Sequence, residues 1–416
     1  MYVIDGMAYF QALTNILETF GELAEVVLSR FPQCSRIDFV TDTYLDVSIK
    51  NIERQRRGCG DTFLIRGPKT KIPRDWKKFL ANGKNREQLV NLLHNEWAQH
   101  KYAHYLHGRN LYLSHSNKCT YFTSEDGLTI KHTTQEDLCS SQEEADTKII
   151  LHCFHASKYC QDNSPIRVRS PDTDVFMLLI RYASNIENIV FFDKETGNKR
   201  RVINVTAISH NLGVEMSHAM LNVHALSGCD TTSSFVRHGK LSVKSKLEKF
   251  SKFVPILTSL GASPTITDTL LTGLEEFVCC LYSNKEYTNI NKLRFDLFSQ
   301  KYAPTTAFSL LNNKGVDLSL LPPCKTSLEN HIKRVNYQCY VWNNAHVAKP
   351  WIPTPVGHGW KLENGELKFD WIKGDPLPPE LLDVPETFEP DEFEDEGEPE
   401  ILNLDDIINE DEENDS

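Results

Sequence analysis

Met1-Tyr2-Val3-Ile4-Asp5-Gly6 opens the chain, and Ile37-Asp38-Phe39-Val40-Thr41-Asp42 closes its first stretch. Each contains a short apolar run ending near an aspartate, as in a strand that delivers an acid at its carboxyl end. Between them an apolar-periodic segment runs to about Arg30, with the spacing of a helix. Strand, helix and strand in this order predict a parallel α/β sheet. The chain begins at the first strand itself, a start that suits a fragment or a trimmed form. Met1 to Asp5 has neither the basic n-region nor the h-region of a secretory signal.

The same rhythm returns further along. Leu111-Tyr112-Leu113, Cys119 to Phe122, Ile166-Arg167-Val168, Ile189 to Phe192 and Val202-Ile203 read as strands. Residues 142–158, the stretch after Asp172 through Arg181, 215–226 and much of 240–300 read as helices. Interrupting them, Lys50 to Arg86 carries twelve Lys or Arg against Glu53, Asp61 and Asp75. Leu89, Leu92, Leu93 and Trp97 then recur at helical spacing. This predicts a basic, partly helical insertion at about 50–110 within a sheet-based core spanning 1–250. A helical region at 251–335, a Trp- and Pro-rich extended segment at 336–383 and an acidic disordered tail at 384–416 complete the expected organisation.

The 416 residues carry a formal charge of −12, from 45 Lys and Arg against 57 Asp and Glu. Sixteen of the acids, and none of the bases, lie in 384–416, so the remaining body holds 45 basic and 41 acidic residues. The body is thus mildly basic and keeps a nucleic-acid partner open. No apolar run approaches the roughly 20 residues that span a bilayer, which argues against a membrane partner. Eleven cysteines without a CxxC pair or a signal peptide predict a reduced, intracellular setting. The nucleus is placed ahead of the cytoplasm, although Lys199-Arg200-Arg201 is too short to establish import.

The acids at the predicted sheet edge carry the chemistry. Asp5 and Asp42 end the first two strands, Glu144 and Asp146 open a helix, Asp172 and Asp174 follow another strand, and Asp230 follows a helix. Ligands of open α/β sheets gather outside the carboxyl ends of the strands. Carboxylates converging there repel one another unless hard cations neutralise them, which is what a two-metal phosphoryl-transfer site requires. Singly, each acid is more simply a helix cap. Repetition at successive strand-to-helix boundaries is what the capping reading does not explain.

The order Ile4-Asp5-Gly6, Val40-Thr41-Asp42, Glu144-Ala145-Asp146, Asp172-Thr173-Asp174 and Gly228-Cys229-Asp230 resembles the flap-endonuclease/XPG family of 5′ nucleases, within the PIN-like nucleases. The resemblance covers about residues 1–250. It implies a PIN-like three-layer α/β fold with a central, mainly parallel sheet, a basic helical insertion and a helical C-terminal region. It further implies that Asp5, Asp42, Glu144, Asp146, Asp172, Asp174 and Asp230 hold two Mg²⁺ or Mn²⁺ ions, activating a water to hydrolyse phosphodiesters of DNA ahead of RNA. In the family a helical arch carries basic residues to the scissile phosphate; here Lys50, Arg54, Arg56 and Arg57 are the counterparts. Lys50, Arg54 and Arg57 would share one helix face. A turn after the last acid, here Gly239 with Lys240 and Lys244, would grip nucleic-acid backbone.

The chain departs from that pattern in three places. Asp146 stands where the family usually has a second Glu, one glycine stands where the turn usually has two, and the segment preceding the first strand is missing. Two rival readings stay open: a PIN-like scaffold that binds nucleic acid or protein without cutting it, and an RNase H-like or transposase core. His94, His100, His104 and His107, and His152 and His155 with Cys153, are read as helix faces rather than zinc ligands. Trp342, Trp351, Trp360 and Trp371 are read as indoles filling grooves on the body. The tail is read as a disordered spacer, with Ile401 to Ile408 as a docking element if a protein partner exists.

Overall fold

The computed structural model describes residues 1–14, 17–44, 48–50, 52, 60–159, 164–196, 199–301 and 317–372. Arg54, Arg56, Arg57 and the acidic tail lie outside them.

The first strand, β1 (Tyr2–Asp5), leads through Gly6 into α1 (Gly6–Gln11), and α2 (Phe20–Ser29) precedes β2 (Arg36–Val40). The single helix expected up to Arg30 is therefore two. A capping box starts the second, with Thr19 accepting from the Glu22 amide and the Glu22 carboxylate accepting from the Thr19 amide. Next come α3 (Trp76–Ala81), α4 (Gly83–Trp97), β3 (Asn110–His115), β4 (Lys118–Thr123) and β5 (Lys131–Thr134). They are followed by α5 (Ala145–Tyr159), β6 (Ile166–Arg169), α6 (Thr173–Tyr182), β7 (Val190–Thr196) and β8 (Lys199–Asn204). Helices α7 (Val205–Leu212), α8 (Val214–Ser227), α9 (Lys240–Lys249), α10 (Val254–Thr258), α11 (Asp268–Tyr282), α12 (Ile290–Lys301) and α13 (Lys325–Asn343) complete the body, with a hairpin of β9 (Trp360–Glu363) and β10 (Glu366–Phe369) beyond it.

Eight strands form one sheet in the order β5-β4-β3-β2-β1-β6-β7-β8. The five central strands are parallel, while β4, β5 and β8 add antiparallel edges. Strand residues alternate between two cores. Ile4, Phe39 and Leu113 pack with α1, α2 and α4, whereas Val3, Val40 and Val168 pack with α5, α6 and α8. Helices on both faces explain why β2 is buried at every position.

The chain runs from β1 outward through β2 to β3, then returns to place β6 on the other side of β1. The gap between the carboxyl ends of β1 and β6 is thus a topological switch point, where such sheets bind ligands.

Three expectations are corrected. Residues 76–106 are less an insertion on the sheet than one of its layers, since Trp76, Phe79, Leu89, Leu93 and Trp97 share a core with Ile4 and Phe39. His94 belongs to α4, but that helix ends at Trp97 with Ala98 as its cap, and His100 and His104 lie in a separate 3₁₀ turn, so the four histidines share no helix face. The extended segment expected from 336 starts inside a helix, because α13 continues to Asn343 with Val335, Cys339 and Trp342 buried at helical spacing.

Trp342 and Trp360 are buried as expected, whereas Trp351 is 70% exposed and Trp371 is 49% exposed. Asn364-Gly365, both at positive φ, turns β9 into β10; that dipeptide is a strong hairpin signal the composition-based reading passed over. Among the described residues no helix is long and apolar enough to cross a membrane.

Candidate active site

Asp5 is the last residue of β1 and also the N-cap of α1, accepting from the Ala8 amide at 3.0 Å and from Ser170 Oγ at 3.1 Å. The turn is tight: a Cβ on Gly6 would stand 2.7 Å from Phe39 and 2.8 Å from Thr41. Asp42 lies two residues past β2 and accepts from the Ala145 amide at 2.9 Å, which ties it to the start of α5. Asp172 caps α6 through the Asp174 amide at 2.8 Å. The capping reading thus holds for Asp5 and Asp172, which the caps fix at the boundaries between strand and helix.

Asp5, Asp42, Asp146, Asp172 and Asp230 line one cleft of about 700 Å³ together with Lys50, Trp76, Lys77 and Arg86. Lys50 connects Glu144 to this set, with its ammonium 3.4 Å from Glu144 and 3.8 Å from Asp146. Asp174 turns away to His224, whose Nε2 lies 2.6 Å from Oδ1. Since an ionised carboxylate only accepts, Nε2 is the donor to Asp174, while Nδ1 is buried without a hydrogen-bond partner among the described residues.

The electrostatics follow from burial. Burial raises Asp5 to about 6, with Asp42 adding repulsion, and raises Glu144 to about 7 against the pull of Lys50. Burial also holds Asp146 well above the usual carboxylate range, and Asp172 is raised by burial and by Asp174. Asp174 goes the other way: burial is the largest single influence and works to raise it, but the hydrogen bond and attraction of His224, with Lys50 and Lys240, together hold it below its ordinary value. Burial alone would lower Lys50, yet Glu144, Asp146, Asp42 and Asp230 together keep it well above its ordinary value.

Several supports were not foreseen. Lys148, 1% exposed, donates to Thr41 O at 3.1 Å, Thr43 Oγ1 at 2.7 Å and Ser116 O at 3.0 Å, so it brackets Asp42 from both sides. Burial lowers its pKa to about 8. Arg86 reaches to within 3.9 Å of Asp42 and stacks at 4.6 Å on Tyr44.

The Asp230 turn is held by the C-terminal helix. Gly228 ends α8 at φ +116, Thr232 Oγ1 donates to Ala225 O at 2.6 Å, and Thr231 Oγ1 donates to Gln338 Oε1 at 2.8 Å. Trp342 on the same helix stacks on His224, with ring centroids 5.9 Å apart. The only sequence signals for these roles were proximity: Lys148 lies two residues past Asp146 and His224 six before Asp230. Nothing local marks Gln338 or Trp342.

Gly239 caps α9 without a side chain, and Lys240 follows exposed. Lys244 pairs along the helix with Glu248 at 3.5 Å. His152 and His155 serve the sheet interior rather than the cleft: His152 Nδ1 lies 2.7 Å from Asp38 and His155 Nδ1 lies 2.9 Å from Arg36.

Among the described residues, no three His, Cys, Asp or Glu are spaced as a ready-made metal shell. The donor chemistry nevertheless suits a hard cation, being all carboxylate oxygen, and the same acids already hold the Lys50 ammonium. No protein-family model matches the chain, and no curated protein matches it significantly.

Proposed function

We propose that this chain is a divalent-metal-dependent nuclease of PIN-like type that hydrolyses phosphodiester bonds in DNA, or RNA as the lesser substrate. The observation that carries the reading is the convergence of Asp5, Asp42, Asp146, Asp172 and Asp230 in one cleft at the sheet's switch point, where burial raises Asp5, Asp146 and Asp172. Buried acids with raised pKa values are costly to the fold and mark functional sites. Bound Mg²⁺ or Mn²⁺ would supply Lewis-acid stabilisation of the phosphate and a nucleophile at neutral pH.

The chain's own residues do the rest. Asp5, Asp42, Glu144, Asp146, Asp172, Asp174 and Asp230 provide the oxygen donors. His224 fixes the rotamer and ionised state of Asp174, as outer partners of ligands do. Lys148 fixes the backbone on either side of Asp42. Lys50, standing among the acids, is placed to meet a phosphate once its charge is released from Glu144 and Asp146, and Arg86 and Lys77 line the approach.

The Lys50 contacts also favour a second reading, a scaffold in which the ammonium permanently neutralises the acids. Cleavage separates the two. End-labelled single-stranded, duplex and 5′-flap DNA would be incubated with Mg²⁺, Mn²⁺ or EDTA, comparing wild type with Asp172→Ala/Asp174→Ala. Metal-dependent cutting that the double variant loses is expected. Salt-sensitive binding without cutting, unchanged in the double variant, would establish the scaffold instead.

A further inference from the structure

A second recess, of about 330 Å³, shares Asp5, Ala8 and Pro171 with the carboxylate cleft. Its remaining walls differ in character, with Arg30, Arg169 and Tyr9 where the first has acids. The fold explains how they meet. Arg169 is the last residue of β6 and stands in register with Ile4 on β1, so its side chain leaves the sheet on the face covered by α1 and α2. Its guanidinium lies 5.8 Å over the Tyr9 ring of α1. Arg30 caps the C-terminus of α2 and is exposed. Burial raises the Tyr9 phenol while Arg169 and then Arg30 pull it down, and all three residues line the recess.

The acid on this wall is accounted for. Asp193 is fully buried and is held by Arg200, whose Nε donates to it at 2.7 Å. Arg30 and Arg169 line the recess together with the Tyr9 ring, directly beside an acidic cleft. A cation pair there has a packing use, since Arg169 covers Tyr9 and Arg30 complements a helix dipole. Packing alone does not require an open recess that shares a wall with the cleft. Guanidinium groups are the side chains best shaped for phosphate, and an aromatic wall suits a sugar or base.

We infer that this recess is a nucleic-acid subsite, in which Arg30 and Arg169 bind the backbone phosphate next to the one at the carboxylates, against the wall formed by Tyr9. The inference rests on the nuclease reading for the identity of the strand, and it assigns the strand a path from the Lys50 side of the cleft across Asp5 and Pro171 toward the end of α2.

The test is binding in EDTA, where cleavage plays no part. A fluorescent single-stranded oligonucleotide would be titrated by anisotropy over a range of salt concentrations. Wild type would be compared with Arg30→Glu, Arg169→Gln and, as a surface-charge control, Lys349→Glu. Each arginine variant is expected to bind more weakly and to lose about 0.7 from the slope of log K against log salt, the value for one single-strand phosphate contact. Lys349→Glu is expected to match wild type. Arg30 is exposed at a helix end, so Arg30→Glu keeps the test valid even if Arg169→Gln misfolds.

Slopes equal to wild type in both arginine variants would overturn the subsite, as would a wild type that binds no strand. Inorganic phosphate binding that depends on both arginines while oligonucleotide affinity does not would assign the recess to the free anion and overturn the strand path. The two readings fail separately. Arginine-dependent binding by a protein that cuts nothing sinks the nuclease and keeps the subsite; normal cutting with an unchanged KM in the arginine variants does the reverse.

Discussion

Helix α5 serves two kinds of buried charge. Its middle turns face Asp38 in the sheet, where every oxygen is matched: Arg36 donates to both at 2.7 Å and His152 lies at 2.7 Å. Burial alone would raise Asp38, but Arg36 and His152 hold its carboxyl far below the usual range. The first turn of the same helix carries Asp146, also buried, where repulsion from Asp172, Glu144 and Asp174 adds to burial and Lys50 opposes them. Two buried carboxylates thus have opposite outcomes, and partners decide which. A buried acid matched by donors at every oxygen stays ionised within the fold; one crowded by other acids is the kind that a bound cation would neutralise.

The largest way to break this contrast is Asp38→Asn. It leaves Arg36 buried without its counter-charge, and the expected loss is about 3–5 kcal/mol in urea unfolding. A loss near zero would mean that the network is solvated and the comparison is wrong. Next in size is His224→Ala. Removing an outer partner of Asp174 is expected to cost about 10–100-fold in Mn²⁺ affinity while far-UV circular dichroism stays unchanged; an unaltered affinity would make His224 only a packing group against Trp342.

The pH dependence sharpens the contrast through its sign. Asp5 and Glu144 are raised from 3.8 and 4.5 to about 6 and about 7, so the folded chain binds their protons more tightly than the unfolded one. Without metal, their contribution to stability falls as pH rises between about 4 and about 7 and is then constant. Asp38 acts oppositely: its contribution is in place above about pH 4 and is lost as acid protonates it. Urea midpoints in EDTA are expected to fall less steeply between pH 4 and 6 in Asp5→Asn than in wild type, with the Glu144 share of the slope kept in both. The smallest effect is Asp146→Asn, expected to leave stability unchanged or raise it by about 0.5–2 kcal/mol while abolishing function. Marked destabilisation there would show that Asp146 is structural.

The sheet was legible because its strands are short β-rich runs punctuated by acids, and Asp5, Asp42, Asp146, Asp172 and Asp230 could be grouped because the topology returns β6 beside β1. Other parts were hidden for physical reasons. Lys148 and His224 act through contacts made only after folding, and a buried lysine or histidine looks like any other in sequence. The role of α13 was hidden further, since Gln338 reaches Thr231 across more than a hundred residues. The Trp- and Pro-rich composition near it drew attention to the indoles rather than to the helix that carries one of them.

The most direct measurement is the number of Mn²⁺ ions bound, read from the free-ion paramagnetic signal during titration of wild type and of Asp172→Asn/Asp174→Asn. Saturable binding of two ions by wild type, lost or reduced to one in the double variant, is the expected result. A wild type that binds no Mn²⁺, or a double variant that binds it equally well, would contradict the proposal that this cluster of acids holds a metal.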